Sequence, residues 1–251
     1  YVRITRGCNK FCTYCVVPST RGAEVHRPPD HIVDECKRLV DAGAIEITLL
    51  GQTVNHYRFE HGAAITIGGV VQPQKGRAYI SAPGRRDPYA GVGVTTFADL
   101  LRRIHDEVPG LARLRFVTSY PRDFGDDVLD AIRDCPRICR YLHVPAQSGS
   151  DRILKLMNRG YTVGEYVEFL DRKRTPIHPK PIRISAVAPI PLDIAMQYND
   201  SYTEVVYSFV NNVHTTDGGT HESGFKAALT RVVNQYANTK LQGKLKDLAI
   251  E

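Results

Sequence analysis

Apolar positions in the first two-thirds of the chain alternate between two periods. The runs "YVRIT" (1–5), "EITLLGQ" (46–52), "RLRFVTS" (113–119) and "YLHVPAQ" (141–147) are short, apolar and rich in strand-forming residues, and they read as four strands. Between them apolar residues recur at spacings of three and four. In "PPDHIVDECKRLVDAGA" the residues Ile32, Val33, Cys36, Leu39 and Val40 share one helical face, with Asp30 as the expected N-cap and Gly43 as the stop. "TTFADLLRRIHDEVPG" likewise places Phe97, Leu100, Leu101, Ile104 and Val108 together. "DDVLDAIRDC", "SDRILKLMN" and "TVGEYVEFLDRK" are further helices, the last opened by a Thr162–Glu165 capping box.

Four strand–helix repeats imply parallel strands with right-handed crossovers, in a barrel or a doubly wound sheet. In a barrel the chemistry gathers at the C-terminal ends of the strands. Here those ends carry the Cys8–Cys15 loop, "GQTVN", "TSYPRD" and "PAQSGSD". The segment 58–94 breaks the rhythm and reads as a surface insertion, with "AAITIGGVVQP" as a hairpin within it. After Lys173 the pattern changes again: a proline-rich stretch is followed by alternating strand patterns, "DIAMQYN" and "EVVYSFVNNV". A turn-rich segment then leads into a helix, "FKAALTRVVNQYAN". A boundary is therefore expected near Leu170–Pro179, with domains 1–170 and 171–251.

A formal charge of +6 on 251 residues mildly favours a polyanionic partner. No apolar run approaches the ~18–20 residues of a membrane span, and a cytoplasmic location is expected. The chain starts at Tyr1, not Met, which suggests part of a longer protein. Six cysteines, three of them clustered, favour a reducing compartment over a disulfide framework.

That cluster is "RGCNKFCTYC", with Cys8, Cys12 and Cys15 in C-x3-C-x2-C spacing. Structural zinc wants four ligands, usually in two pairs. Three thiols on one loop instead suit a [4Fe-4S] cluster with one iron left open for a substrate or cofactor. A zinc site completed by a distant histidine is the alternative. Cys36 reads as a small buried hydrophobe. Cys135 and Cys139, in "CPRIC", lack a third partner in the sequence nearby.

Taken together, "YVRITRGCNKFCTYCVVPSTRG", "EITLLGQTVNHY", "LRFVTSYPRDF", "LHVPAQSGSDRILKLMNRGYT" and "EYVEFL" resemble the radical S-adenosylmethionine tRNA methylthiotransferases, over about residues 1–170. The resemblance implies a partial (β/α) radical SAM barrel, truncated here. It makes Cys8, Cys12 and Cys15 the ligands of a [4Fe-4S] cluster whose open iron is chelated by S-adenosylmethionine. One-electron cleavage of the sulfonium then yields a 5′-deoxyadenosyl radical for methylthiolation of adenosine in tRNA. Gln52, Ser119, Gln147, Ser148 and Arg159 become candidates for holding S-adenosylmethionine, and Arg21 and Arg27 for meeting tRNA phosphates. An external electron donor such as flavodoxin or ferredoxin is implied as a partner. Family members also carry a preceding domain with a second cluster, further barrel strands and a small RNA-binding domain, none of which this sequence matches.

Residues 173–251, with "LDIAMQYNDSYTEVVYSFVNNVHTTDGGTHESGFKAALTRVVNQYA", resemble DNA gyrase B or its topoisomerase IV relative. That implies a partial α+β transducer-like segment without its ATP site. Gly218, Gly219, Thr220 and His221 are accordingly expected to form a tight turn and helix start, and binding to DNA is not expected. The alternative functions are a structural transducer piece of a type II topoisomerase, or a non-functional chimera of two families.

Overall fold

The structure, a computed structural model, describes residues 1–76, 93–171, 175–187, 189–200, 204–210, 213–215 and 218–240. Contacts divide the chain into two units, Tyr1–Ala146 with Ser150–Asp200, and Gln147–Gly149 with Ser201–Glu251.

The first unit is built on a parallel sheet in the order β1 (Val2–Arg3), β2 (Glu46–Leu50), β3 (Arg113–Phe116). Val2 pairs with Leu49 on one side of β2, and Arg113 through Phe116 pair with Glu46 through Leu49 on the other. The period of two buries Ile47 and Leu49 on β2 and Leu114 and Phe116 on β3, as expected for a half-buried strand.

Helices α1 (Pro29–Asp41), α2 (Phe97–Glu107) and α3 (Asp126–Asp134) follow the strands in turn. Every residue of the expected α2 face is buried: Phe97, Leu100, Leu101, Ile104 and Val108. At ~1.5–3 kcal/mol for each buried side chain, that face is a principal source of the unit's stability. A Thr96–Asp99 capping box opens α2, and Phe97 meets Phe116 edge-on at 5.1 Å, joining helix to sheet.

Two expectations are corrected. The N-cap of α1 is Pro28, not Asp30. Pro29 supplies a pre-set first helical residue, leaving Asp30 exposed in the first turn, where it pairs with Arg103 at 2.9 Å. Gly43 ends the helix as expected, at φ +97°. The fourth strand is also absent: residues 141–147 form no ladder among the described residues. The free edge of β3 is taken earlier, where Leu114 N–H donates to Arg137 O and Cys139 N–H donates to Leu114 O. Pro145 has no N–H to offer a later ladder. Ser119 N–H donates to His143 O at 3.1 Å, and Thr118 N–H to His143 Nδ1 at 3.2 Å, tying this segment to the loop after β3.

In the insertion, Arg58–Glu60 pairs with Val94–Thr96, and Thr66–Ile67 pairs with Val70–Val71 across Gly68 and Gly69. Both glycines have positive φ, which the tight hairpin requires. Residues 77–92 of the insertion lie outside the described residues. Helix α4 (Asp151–Leu156) precedes α5 (Val163–Asp171), whose capping box joins Thr162 N–H to Glu165 Oε2 at 2.7 Å and Glu165 N–H to Thr162 Oγ1 at 3.2 Å. β4 (Ile182–Ala186) and β5 (Leu192–Met196) form an antiparallel hairpin that groups with the first unit.

In the second unit, Phe209–Val210 pairs antiparallel with Val213–His214, and α6 (Thr220–Lys240) follows. Gly218, at φ +70°, donates to Thr215 O, and Thr220 begins the helix. The His221 ring lies 2.9 Å from Ser208 Oγ. Gly218, Thr220 and His221 thus sit in the turn and helix start expected of them. Among the described residues no helix is long and apolar enough to cross a membrane.

Candidate metal centre

The loop holding Cys8, Cys12 and Cys15 leaves the C-terminal end of β1, and all three thiols are free and partly exposed. Its entry is fixed by Gly7. At φ +75° its backbone passes so close to the 22–23 segment that a Cβ would lie 2.2 Å from Ala23 O. Only glycine fits there. Farther along, Cys15 N–H donates to Cys12 O, and Thr13 N–H and Oγ1 donate to Met157 O and Leu156 O. Asn158 Nδ2 donates to Phe11 O at 2.9 Å, from a left-handed backbone at φ +55°. The turn after α4 thereby clamps the middle of the cysteine loop. Phe11, Tyr14 and Val16 remain exposed beside the thiols.

Cys8 is partly buried. Burial pushes its thiol pKa up, while the Lys10 N–H, 3.5 Å from Sγ, and the Thr53 hydroxyl, 3.9 Å away, pull it down. Metal binding at Cys8 must therefore expel a proton. Cys12 has a cationic neighbour: Arg159 Nη1 donates to its Sγ at 3.4 Å. The guanidinium lies 4.5 Å from the Tyr120 ring centre and 5.2 Å from that of Tyr161, and its Nε donates to Tyr161 Oη at 3.2 Å. Burial works against the charged guanidinium, but Tyr161 and Cys12 outweigh it and hold the pKa above the usual arginine value. Burial in turn pushes the Tyr161 phenol up to about 12. Lys10 also lies over Tyr120, 4.5 Å from its centroid, and pairs with buried Asp123.

The loops after the three strands are bonded to one another. Thr118 Oγ1 donates to Gly51 O at 2.6 Å, and Val54 N–H donates to Thr118 O. Asn55 and Tyr120 exchange two bonds, Asn55 Nδ2 to Tyr120 O at 2.8 Å and Tyr120 N–H to Asn55 Oδ1 at 2.9 Å. Ser119 is buried on this face and its Oγ has no partner among the described residues, which suits a group that docks there. Gln52 is exposed at the end of β2. Gln147, at φ +68°, and buried Ser148 group with the second unit. Arg21 is exposed at the end of the short helix Val17–Arg21. Arg27 donates to Arg3 O at 2.7 Å and pairs with Glu35 at 2.7 Å, so its charge is engaged within the fold.

Three free thiols on one clamped loop, with a cation against one sulfur, fit a cluster ligated three times by protein. Burial pushes Cys36 up to about 12, in keeping with an inert core residue. Cys135 is buried and Cys139 partly so, and no third ligand joins them among the described residues. Sequence reasoning missed a different group. Glu24, His26 and His56 are all buried and close together, with Glu24 Oε2 in contact with His56 Nδ1. Their positions follow no known ligand spacing; strand pairing and the turn after β2 bring them together.

A model of the radical SAM superfamily matches residues 2–175, and a model described as DNA gyrase B matches residues 162–250. The tRNA-2-methylthio-N(6)-dimethylallyladenosine synthase of Rhodopirellula baltica is 48% identical over 175 residues, covering 70% of this chain and 30% of that protein. The protein of the same name from Roseobacter denitrificans is 44% identical over 174 residues, 69% of this chain and 33% of its own length. That from Protochlamydia amoebophila is 37% identical over 211 residues, 83% of this chain and 40% of its own. The chain therefore spans 30–40% of the length of these curated relatives.

Proposed function

Because the chain belongs to the radical SAM superfamily, whose members use a [4Fe-4S] cluster and S-adenosylmethionine, we propose that it carries the radical-generating part of a tRNA methylthiotransferase. The substrate is adenosine bearing an isopentenyl group in tRNA, after the activity for which its relatives are named. The observation that carries this reading is the clamped loop of three free thiols, set where three parallel-strand ends are bonded into one face.

Cys8, Cys12 and Cys15 would hold the cluster. With S-adenosylmethionine bound, it would supply one-electron reductive chemistry for radical generation. The protein's own work is placement and exclusion of water. Arg159 sets a fixed positive charge against the Cys12 sulfur, held over the rings of Tyr120 and Tyr161. Ser119 offers a buried hydroxyl to the cofactor, with exposed Gln52 as a further contact. Exposed Phe11, Tyr14 and Val16 form an apolar rim for a base, and Arg21 a contact for phosphate. A one-electron donor such as flavodoxin or ferredoxin, in a reducing compartment such as the cytoplasm, completes the scheme. Residues 162–250 are a gyrase-B-like segment, which we read as a structural transducer-type piece fused to this core.

Anaerobic reconstitution with iron and sulfide tests the proposal. The chain takes up about four irons, and Cys12→Ala abolishes the cluster's visible absorption. A colourless protein that binds no iron overturns it.

A further inference from the structure

Glu24, His26 and His56 each present a ligand atom within 4.8 Å of the others. They are 0%, 1% and 3% exposed, respectively. Glu24 immediately precedes the strand Val25–His26, which lies between Thr5–Arg6 and Gln74–Lys75, and His56 closes the turn Val54–His56 after β2. A fully buried carboxylate demands compensating charge. His56 Nδ1 lies against its Oε2, and Thr53 Oγ1 is a distant donor to Oε1 at 3.5 Å. A simple His56–Glu24 contact leaves His26 unexplained. His26 is a second buried imidazole beside that pair, and its Nδ1 has no partner among the described residues. Gly76 keeps the neighbouring space clear: a Cβ there would lie 2.6 Å from His26 Nε2 and 3.3 Å from Glu24 Oε2.

We propose that Glu24, His26 and His56 form a mononuclear metal site, distinct from the cysteine cluster, for one divalent transition ion of the zinc or ferrous class. Two imidazoles and one carboxylate are a donor set these ions favour over magnesium or calcium. The bound ion neutralises the buried carboxylate and ties the strand Val25–His26 to the turn after β2. Thr53 lies between this site and the cluster loop, its Oγ1 3.5 Å from Glu24 Oε1 and 3.9 Å from Cys8 Sγ. The ion thus braces one flank of that loop. The inference does not depend on whether the cysteines assemble a cluster.

The test uses the full chain with Cys8, Cys12 and Cys15 all changed to serine, so that the loop thiols cannot compete, titrated with Zn²⁺ or Co²⁺ alone. We expect one ion per chain. Cobalt should give visible ligand-field bands without thiolate charge-transfer absorption, and zinc should raise the melting temperature over chelator-treated protein. His26→Gln and His56→Gln should each weaken zinc binding by at least about tenfold. Failure of the serine variant to retain an ion overturns the proposal, as does cobalt absorption unchanged by His26→Gln. If the histidine variants do not fold, X-ray absorption at the zinc edge of the serine variant decides. A shell of two imidazoles and oxygen supports the site; sulfur ligation or a fully hydrated ion overturns it.

Discussion

Arg159 lies 147 positions from Cys12 in the chain, yet its guanidinium donates to the Cys12 sulfur at 3.4 Å. Tyr120 and Tyr161 hold it there through their ring faces. Such contacts contribute ~0.5–2 kcal/mol. The same charge favours the reduced state of a cluster at Cys12, because reduction adds negative charge there. Arg159→Gln should therefore lower stability by about 1–2 kcal/mol in urea denaturation. In the reconstituted protein it should move the cluster's midpoint potential negative by roughly tens of millivolts, with iron content retained. A redox titration followed by electron paramagnetic resonance checks the second expectation. Arg159→Lys should recover part of the potential but little of the stacking.

Gly7 is the tightest point of the cysteine loop. Gly7→Ala combines a left-handed backbone with a methyl 2.2 Å from Ala23 O. The backbone conformation alone costs ~1–2 kcal/mol in a residue with a side chain, and the clash adds to it. We expect a loss of at least about 2 kcal/mol in urea denaturation, together with failure to retain iron. Gly22→Ala also puts a side chain on a strained backbone, φ +73° and ψ −168°, but with nothing within 4 Å of its Cβ. It should be the milder change, which separates the clash from the strain.

Much of this was readable from residue order because the signals were local. The α2 face, the Thr162–Glu165 box, the Gly68–Gly69 hairpin and the three-thiol loop each depend on neighbours within a few positions. Where the outcome depended on distant partners, the reading failed. Residues 141–147 have strand composition, but Leu114 had already bonded Arg137 and Cys139 along the edge they needed. Asp30 is a good N-cap by type, but Pro28 and Pro29 start the helix first. Ile182–Ala186 sits in a proline-rich stretch and becomes a strand because Leu192–Met196 pairs with it. Glu24, His26 and His56 meet through the pairing of Thr5 with His26 and the turn after β2, which no local spacing encodes.

The acid limb of stability should report His26. Burial lowers its pKa to about 4, with repulsion from His56 in the same direction and attraction to Glu24 opposing both; Tyr57 packs on its ring edge-on at 5.5 Å. Because the folded value lies below the unfolded value of 6.5, the unfolded chain binds the extra proton between these two pH values. Stability is thus present above pH 6.5 and lost as pH falls toward 4, by about 3 kcal/mol in all. Urea denaturation of chelator-treated protein at pH 7, 5.5 and 4 measures this slope. His26→Gln, where it folds, should flatten it.

Thr118 sits at the end of β3 with φ +64°, a conformation that a β-branched residue rarely adopts and that costs ~1–3 kcal/mol. Its surroundings over-determine it. Oγ1 donates to Gly51 O, its N–H donates to His143 Nδ1 at 3.2 Å, and its carbonyl accepts from Val54 N–H. The reversed backbone is what turns the chain so that Ser119 is buried and Tyr120 faces Asn55 and Arg159. Two substitutions separate strain from bonding. Thr118→Ala keeps the strained backbone and loses the side-chain bond, so it should destabilise by about 1–2 kcal/mol. Thr118→Gly loses the same bond but releases the strain, so its melting temperature should lie close to that of the unmodified protein and above that of the alanine variant. An alanine variant as stable as the glycine variant would show that the hydroxyl, and not the backbone, sets the energetics at this corner.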